Sequence, residues 1–269
     1  IFITFCALSK AKGMEINMNY FLAAQTEVGL KKNCNQDSVI LKRAKFRGSE
    51  VCLGVICDGM GGLSCGEFAS KSIVEAVSDW FLHHYSGYKN VWDENQMRTD
   101  FTNILSSENE GLLHYGKEHG IYLGTTITAV LLAENKFFVC HVGDTRLYKI
   151  SEAGMIQLTN DHTVIAREMA EGRISPKDAR TDPRRNVLLQ CIGATKDVTP
   201  DIFCGEVKSG DILLLCSDGF RHEISEKEVL KALKGCDNLK FNDRLRALID
   251  LNLKRREQDN ISVALIKVR

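Results

Sequence analysis

The stretch Ile56-Cys57-Asp58-Gly59-Met60-Gly61-Gly62 places one carboxylate at the end of an apolar run, VCLGVIC (51–57), and follows it with three glycines in four positions. The direct reading is a strand running into a tight turn with a lone acid at its lip. Taken singly this is ordinary, because Asp hydrogen-bonds nearby backbone and Gly accepts positive φ, so Asp-Gly is a common turn dipeptide. What matters is whether other strands end the same way.

They do. Asp144 follows FFVCHVG and Asp218 follows ILLLCS, while Asp259 precedes NISVALIKV and Asp37 precedes the short run SVI. Three acids close strands and two open them. In antiparallel neighbours the end of one strand lies beside the start of the next, so an antiparallel sandwich can gather all five at one rim. Clustered carboxylates repel one another and raise their own pKa values. A divalent cation removes that cost, and an all-oxygen Asp set suits Mg²⁺ or Mn²⁺ rather than zinc.

The remaining segments agree with such a sandwich. Short strands are expected at 20–25, 38–41 and 51–57, followed by a helix capped by Ser64 and a second helix over 94–119 with Met97, Phe101, Leu105 and Leu112 on one face. TTITAVLLA, KFFVCHVGD and RLYKI then follow with connections too short for parallel crossovers. After a polar excursion at 163–190 come further strands and a helix pair. The fold class is α+β, with two antiparallel sheets covered by helix pairs. Residues 19–269 read as a single domain with a flap inserted at about 163–190. Residues 1–18 read as an N-terminal extension, upstream of a start at Met14 or Met18.

Bulk properties narrow the function. The 269 residues are 44% hydrophobic and 26% charged, with 35 Lys+Arg balancing 35 Asp+Glu. That neutrality argues against a nucleic-acid or membrane-surface partner. Ten cysteines occur with no CxxC pair, several inside apolar runs. They read as buried free thiols in a reducing cytoplasm. IFITFCAL at the N-terminus is too short to span a bilayer, and no GxxxxGK[ST] loop points to a kinase or nucleotide hydrolase.

In chain order the sequence carries NQDS (35–38), CDGMGG (57–62), GTTITAVLL (124–132), HVGDTRLYKI (141–150), LTNDHT (158–163), LLQCIGA (188–194), GDILLLCSDGF (210–220) and QDNISVALI (258–266). Together these resemble the metal-dependent protein serine/threonine phosphatases of type 2C, the PPM family, and its bacterial members in particular. The resemblance implies an α-β-β-α sandwich with the metals at one end. It implies Asp58 as a bridge between two ions, Mn²⁺ or Mg²⁺, with Asp218 and Asp259 completing one shell. The Gly59 carbonyl and Asp37, direct or through water, would serve the second ion, and Asp144, sharing Asp218, a weaker third. A metal-activated water would then attack the phosphorus of phosphoserine or phosphothreonine proteins, opposing a serine/threonine kinase. A monomeric, cytoplasmic enzyme is expected; the alternative is a pseudophosphatase or phosphoprotein-binding regulatory module.

Two departures stand out. Lys32 occupies the position where the family carries a phosphate-binding Arg; it keeps the charge but loses the bidentate fork. Met60 follows Asp-Gly where many eukaryotic members have His, and a thioether cannot donate a proton. Of the other residues, His141 and His162 read as structural, Arg146 as a brace for the 143–146 turn, Trp80 as core and His83-His84 as surface. The flap cations Arg173, Lys177, Arg180, Arg184 and Arg185 face either solvent or a phosphoprotein.

Overall fold

The computed structural model describes residues 19–62, 65–179, 181–237 and 240–269. The N-terminal extension, the Ser64 cap and Arg180 lie outside them. Two antiparallel sheets stack face to face. One has the order β1 (Tyr20–Glu27), β11 (Ile261–Val268), β10 (Ile212–Cys216), β7 (Arg146–Ser151), β8 (Gly154–Gln157). The other runs β2 (Asp37–Phe46), β3 (Ser49–Gly61), β5 (Ile127–Ala133), β6 (Lys136–Val142), β9 (Asp201–Glu206), with β4 (Leu123–Thr125) extending it along β3. Helices α1 (Cys65–Asp79) and α2 (Glu94–His119) cover the second sheet. Helices α5 (Asp218–His222), α6 (Glu226–Leu233) and α7 (Phe241–Lys254) cover the first. This is the expected α-β-β-α sandwich.

Helix-covered sheets explain why the strands read as unbroken apolar runs. Successive side chains point to opposite faces, and here both faces are dry. In β3, Val51, Leu53, Val55 and Cys57 pack toward α1 and α2, whereas Cys52 and Ile56 pack between the sheets. In β10, Ile212, Leu214 and Cys216 face the helices, and Leu213 and Leu215 face the other sheet. Each fully buried Leu, Ile or Val contributes roughly 1.5–3 kcal/mol.

The same alternation aims the acids. Asp58 shares the parity of Cys52 and Ile56, so it continues the inter-sheet face to the end of the sandwich. Asp37 lies directly across from it in the β2–β3 ladder and shares the parity of Val39 and Leu41, which also pack between the sheets.

One expectation is corrected. The strand does not stop at Cys57. β3 continues through Asp58 to Gly61, changing partner so that Gly59, Met60 and Gly61 pair with Thr125, Gly124 and Leu123. The glycine-rich stretch is ladder, not turn, and Asp58 sits within a strand that is hydrogen-bonded on both sides of it.

The flap is α3 (Val164–Ala170) and α4 (Pro176–Ala179) with their connections. Pairing of Thr163 with Leu188 closes its base. Two of its cations are bound internally: Arg173 pairs with Glu171, and Arg184 with Glu168 and Asp182. All nine described cysteines are free thiols, five of them buried. Among the described residues no helix is long and apolar enough to cross a membrane.

Trp80 is core, as expected. It is 3% exposed, packs edge-on to Phe101 and donates from Nε1 to Asp100 Oδ2 at 2.8 Å. Trp80→Ala is therefore expected to lower unfolding stability by ~3–5 kcal/mol in urea titrations. A loss below ~1 kcal/mol would show that the α1–α2 layer does not depend on it.

Candidate metal centre

Asp58 is pinned by its backbone. Its N–H donates to Thr126 Oγ1 at 2.9 Å, and its carbonyl accepts from Thr126 N at 2.9 Å and Thr125 Oγ1 at 3.0 Å. The carboxylate is left free at the rim. Burial, and then the charges of Asp37, Asp218, Asp144 and Asp259, push its pKa well above the carboxylate range. The five acids singled out in the sequence thus converge within electrostatic reach of one point.

Asp37 is 9% exposed, and neither of its carboxylate oxygens has a hydrogen-bond partner. Burial lifts its pKa to about 7; the neighbouring Ser262 and Ser217 hydroxyls pull it down, and Asp218 and Asp259 push it up further. Ser262 Oγ also meets Thr26 Oγ1 at 2.7 Å, and Ser217 Oγ accepts from Ser262 N at 3.0 Å. Asp218 opens α5 directly after β10, and its buried Oδ1 is likewise unpartnered. Its Oδ2 lies 3.4 Å from His222 Nε2, whose Nδ1 reaches Glu257 Oε2 at 3.4 Å. Burial works against the His222 charge, but Glu257 and Asp218 prevail and hold its pKa above the ordinary value.

Asp259 is placed by the turn before β11. Its N–H donates to Glu257 Oε1 at 2.9 Å, and the neighbouring Asn260, 3% exposed, staples the preceding loop. Asn260 Oδ1 accepts from Gln36 N at 2.9 Å, and its Nδ2 donates to Val28 O at 2.8 Å and Cys34 O at 3.1 Å. This staple brings Lys32 against Asp259, with Nζ 2.7 Å from Oδ1. Burial disfavours that ammonium, yet Asp259, Asp58 and Asp218 raise its pKa, so it stays charged. Lys32 thus stands among the acids rather than apart from them.

Glycine at 59 has a different cause from the one expected. A Cβ there would come 2.1 Å from Gly66 O and 2.6 Å from Gln36 O, so the contact of α1 and β2 with β3 already demands it. Gly219 follows the same logic: a Cβ would meet Asn260 O at 2.2 Å, which is how α5 and the Asp259 turn lie together.

Asp144, 7% exposed, follows β6 in the turn before β7. Burial and Asp218 raise its pKa to about 7 against the pull of Arg221. Arg221 Nη2 donates to the Asp144 carbonyl at 3.1 Å and lies 3.4 Å from Oδ2. The turn is braced by Arg146, whose Nε and Nη2 fork onto Asp161 at 2.8 and 2.7 Å. His162 Nδ1 accepts from Gly143 N at 3.2 Å while Nε2 faces Asp201 at 3.2 Å. His141, fully buried, donates from Nε2 to Asn160 O at 3.0 Å and meets Thr128 Oγ1 at 2.9 Å through Nδ1. Burial drops its pKa to about 4, so it is a neutral strut. Both histidines and Arg146 are structural, as the sequence suggests.

The chemistry of this donor set fits a divalent cation. Asp37 and Asp218 present three buried carboxylate oxygens with no partner, and Asp58 leans over them from the facing strand position. Among the described residues no three His, Cys, Asp or Glu side chains are drawn tightly enough to form a finished ligand group. Asp144 does not fit, because its carboxylate and carbonyl already face the Arg221 guanidinium. Arg221, His222, Glu257, Asn260 and Thr126 were not singled out from the sequence; Arg221, Asn260 and Thr126 act through contacts far apart in the chain, and His222 and Glu257 meet each other only in the fold. A cavity of about 1060 Å³ lies between the flap and α6, lined in part by Arg146, Asp161, Ile165, Arg221 and Val229 and by none of the five acids.

A family model for protein phosphatase 2C matches residues 29–258. Protein phosphatase PhpP of Streptococcus pneumoniae is 28% identical over 244 residues, covering 90% of this chain and 95% of PhpP. The crystal structure of serine/threonine phosphatase Stp1 from Staphylococcus aureus superposes with a TM-score of 0.83 at 28% identity, over 97% of this chain and all of that one. The catalytic domain of serine/threonine protein phosphatase PstP, solved in complex with two manganese ions, superposes with a TM-score of 0.77 at 27% identity, over 94% and 99% of the two chains.

Asp37 and Asp144 keep their protons to about 7 when folded, against an ordinary 3.8. The ion-free fold therefore binds more protons than the unfolded chain across that window. The stability these two contribute is complete below 3.8 and is lost as pH rises through 7. His141 acts in the opposite sense between about 4 and 6.5. In chelator near pH 8, Asp37→Asn is expected to be more stable than wild type by at least ~1 kcal/mol, with the difference closing by about pH 4. Urea midpoints across that range test this, and equal stability at pH 8 would refute the buried, unpartnered carboxylate.

Proposed function

The chain belongs to the protein phosphatase 2C family, and from that premise we propose that it hydrolyses phosphoserine and phosphothreonine monoesters in proteins using two divalent ions, Mn²⁺ or Mg²⁺. The observation that carries this reading is the facing pair Asp37–Asp58 at the end of the sandwich, where both Asp37 oxygens are buried and unpartnered, in a fold shared with a two-manganese phosphatase domain. The protein-bound ligands would be Asp58, Asp218, Asp259, Asp37 and the Gly59 carbonyl. When bound, the ions supply Lewis-acid neutralisation of the phosphoryl oxygens and acidify an attacking water.

The chain's own residues do the rest. Lys32 stays protonated and offers a point charge to a phosphate oxygen, leaving Asp259 free to turn to an ion. The bonds from Thr125 and Thr126 fix the Asp58 backbone, so its carboxylate is presented from a rigid strand. Asn260 and Glu257 hold the loop carrying Lys32 against the turn carrying Asp259. Cys57, Cys140 and Cys216 are buried, and burial raises their thiol pKa values, which disfavours thiolate nucleophiles. Met60 has no proton to give, so the leaving oxygen is protonated from solvent or a bound water. The free thiols suit a reducing cytoplasm, and the activity would oppose a serine/threonine kinase in bacterial signalling. The intact acid set argues against a pseudophosphatase or a simple phosphoprotein-binding module.

Phosphate release from a phosphothreonine peptide, after chelation and Mn²⁺ titration, tests this. Activity is expected to require Mn²⁺, to fall by ~10²-fold or more in Asp58→Asn and Asp218→Asn, and to lose ~10–100-fold in kcat/KM in Lys32→Ala. A folded, Mn²⁺-binding wild type with no activity on phosphopeptide or phosphoprotein would overturn the reading.

A further inference from the structure

We propose that the guanidinium of Arg221 takes the cation position at Asp144 and closes this chain's third-ion site, leaving a centre limited to two ions. The inference rests on the two-ion reading above. Resemblance alone assigns Asp144, with Asp218, to a weaker third ion, and the side chains around Asp144 do not agree with that assignment.

Of the three Asp144 oxygens that could serve an ion, two, the carbonyl and Oδ2, lie on Arg221. A single Arg221 nitrogen faces both, at 3.1 Å from the carbonyl and 3.4 Å from Oδ2. Arg221 does not sit there loosely. It is only 21% exposed, and its Nη2 also lies 3.6 Å from Asp161 Oδ2. Asp161 is itself gripped by Arg146, so Asp144, Arg221, Asp161 and Arg146 alternate in sign along one half-buried line.

The helix that carries Arg221 is also held in place. Asn252 Nδ2 donates to Phe220 O at 3.0 Å, and Gly219 is packed against Asn260. An ion taking the Asp144 carbonyl or Oδ2 would have to displace Nη2, and one held by Oδ1 would have to remain beside the guanidinium charge. A lysine or histidine could relieve that repulsion by losing its proton. Arginine cannot, because its pKa lies far above any working pH. Asp218, the other acid expected at that site, has its Oδ2 already facing His222.

Arg221 therefore does permanently what a third ion does only at high concentration: it balances the Asp144 charge. Asp144 becomes a positioning residue for α5, and through α5 for Asp218.

The test is Mn²⁺ stoichiometry of the full chain at millimolar Mn²⁺, by equilibrium dialysis with free ion read by electron paramagnetic resonance. Wild type is expected to bind two ions, and Asp144→Asn also two. Arg221→Met, checked for folding by its urea midpoint, is expected to bind three, and Arg221→Met/Asp144→Asn two again. A third ion in wild type that disappears in Asp144→Asn would overturn the proposal without needing any Arg221 variant. So would a folded Arg221→Met that gains no ion. Fewer than two ions in wild type would instead overturn the two-ion reading itself, and this inference with it.

Discussion

Two carboxylates face each other across neighbouring strands on a dry surface. Like charges directly opposite in a ladder are destabilising, and burial adds to that cost. Asp37 and Asp58 nonetheless occupy such a pair, in the longest ladder of the second sheet. Nothing in strand propensity asks for this arrangement. The surrounding structure imposes it: Gln36 O accepts from Gly59 N at 3.1 Å and from Ser70 Oγ at 2.6 Å, so β2, β3 and α1 are locked at that level. The strain is held ready, and binding of a cation would release it.

The partner sheet completes the arrangement by topology. β10 and β11 are antiparallel neighbours, so the end of one and the start of the other fall at the same edge. Asp218 and Asp259 emerge there, with Gly219 pressed on Asn260. No long insertion is needed to bring four acids together from positions 37, 58, 218 and 259. Stacking two sheets with their inner faces in contact is enough, and the apolar residues between them, Ile56, Leu213, Leu215 and Ala264 among others, keep that stacking dry.

This is why so much was legible beforehand. Acids flanking apolar runs are visible directly in the chain, and Asp144, Asp218 and Asp259 lie at strand ends as expected. The 94–119 helix was legible as well, because Asp93 caps it by accepting from Gln96 N and Gly120 ends it at φ 64. What misled was glycine. Its turn propensity at 59–62 was outweighed by the ladder with β4, where a residue without Cβ can lie under Gly66. What stayed hidden were contacts without local signature. Asn260 reaches back more than 220 residues to Gln36, and Arg221 reaches back 77 residues to Asp144.

Those hidden contacts distribute charge unevenly over the rim, and that unevenness orders the site. Asp259 meets Lys32, Asp144 meets Arg221, and one oxygen of Asp218 meets His222. Asp37 meets no cation, and Asp58 has four anionic neighbours acting on it. The demand for positive charge is therefore greatest between β2 and β3 and falls toward the Asp144 turn. On the proposed two-ion reading, a small cation would be drawn first to the Asp37–Asp58 face, next to the side where Lys32 would exchange Asp259 for a phosphate oxygen, and least to Arg221. The fold supplies the acids, but the fixed and exchangeable cations of this sequence decide which of them are available.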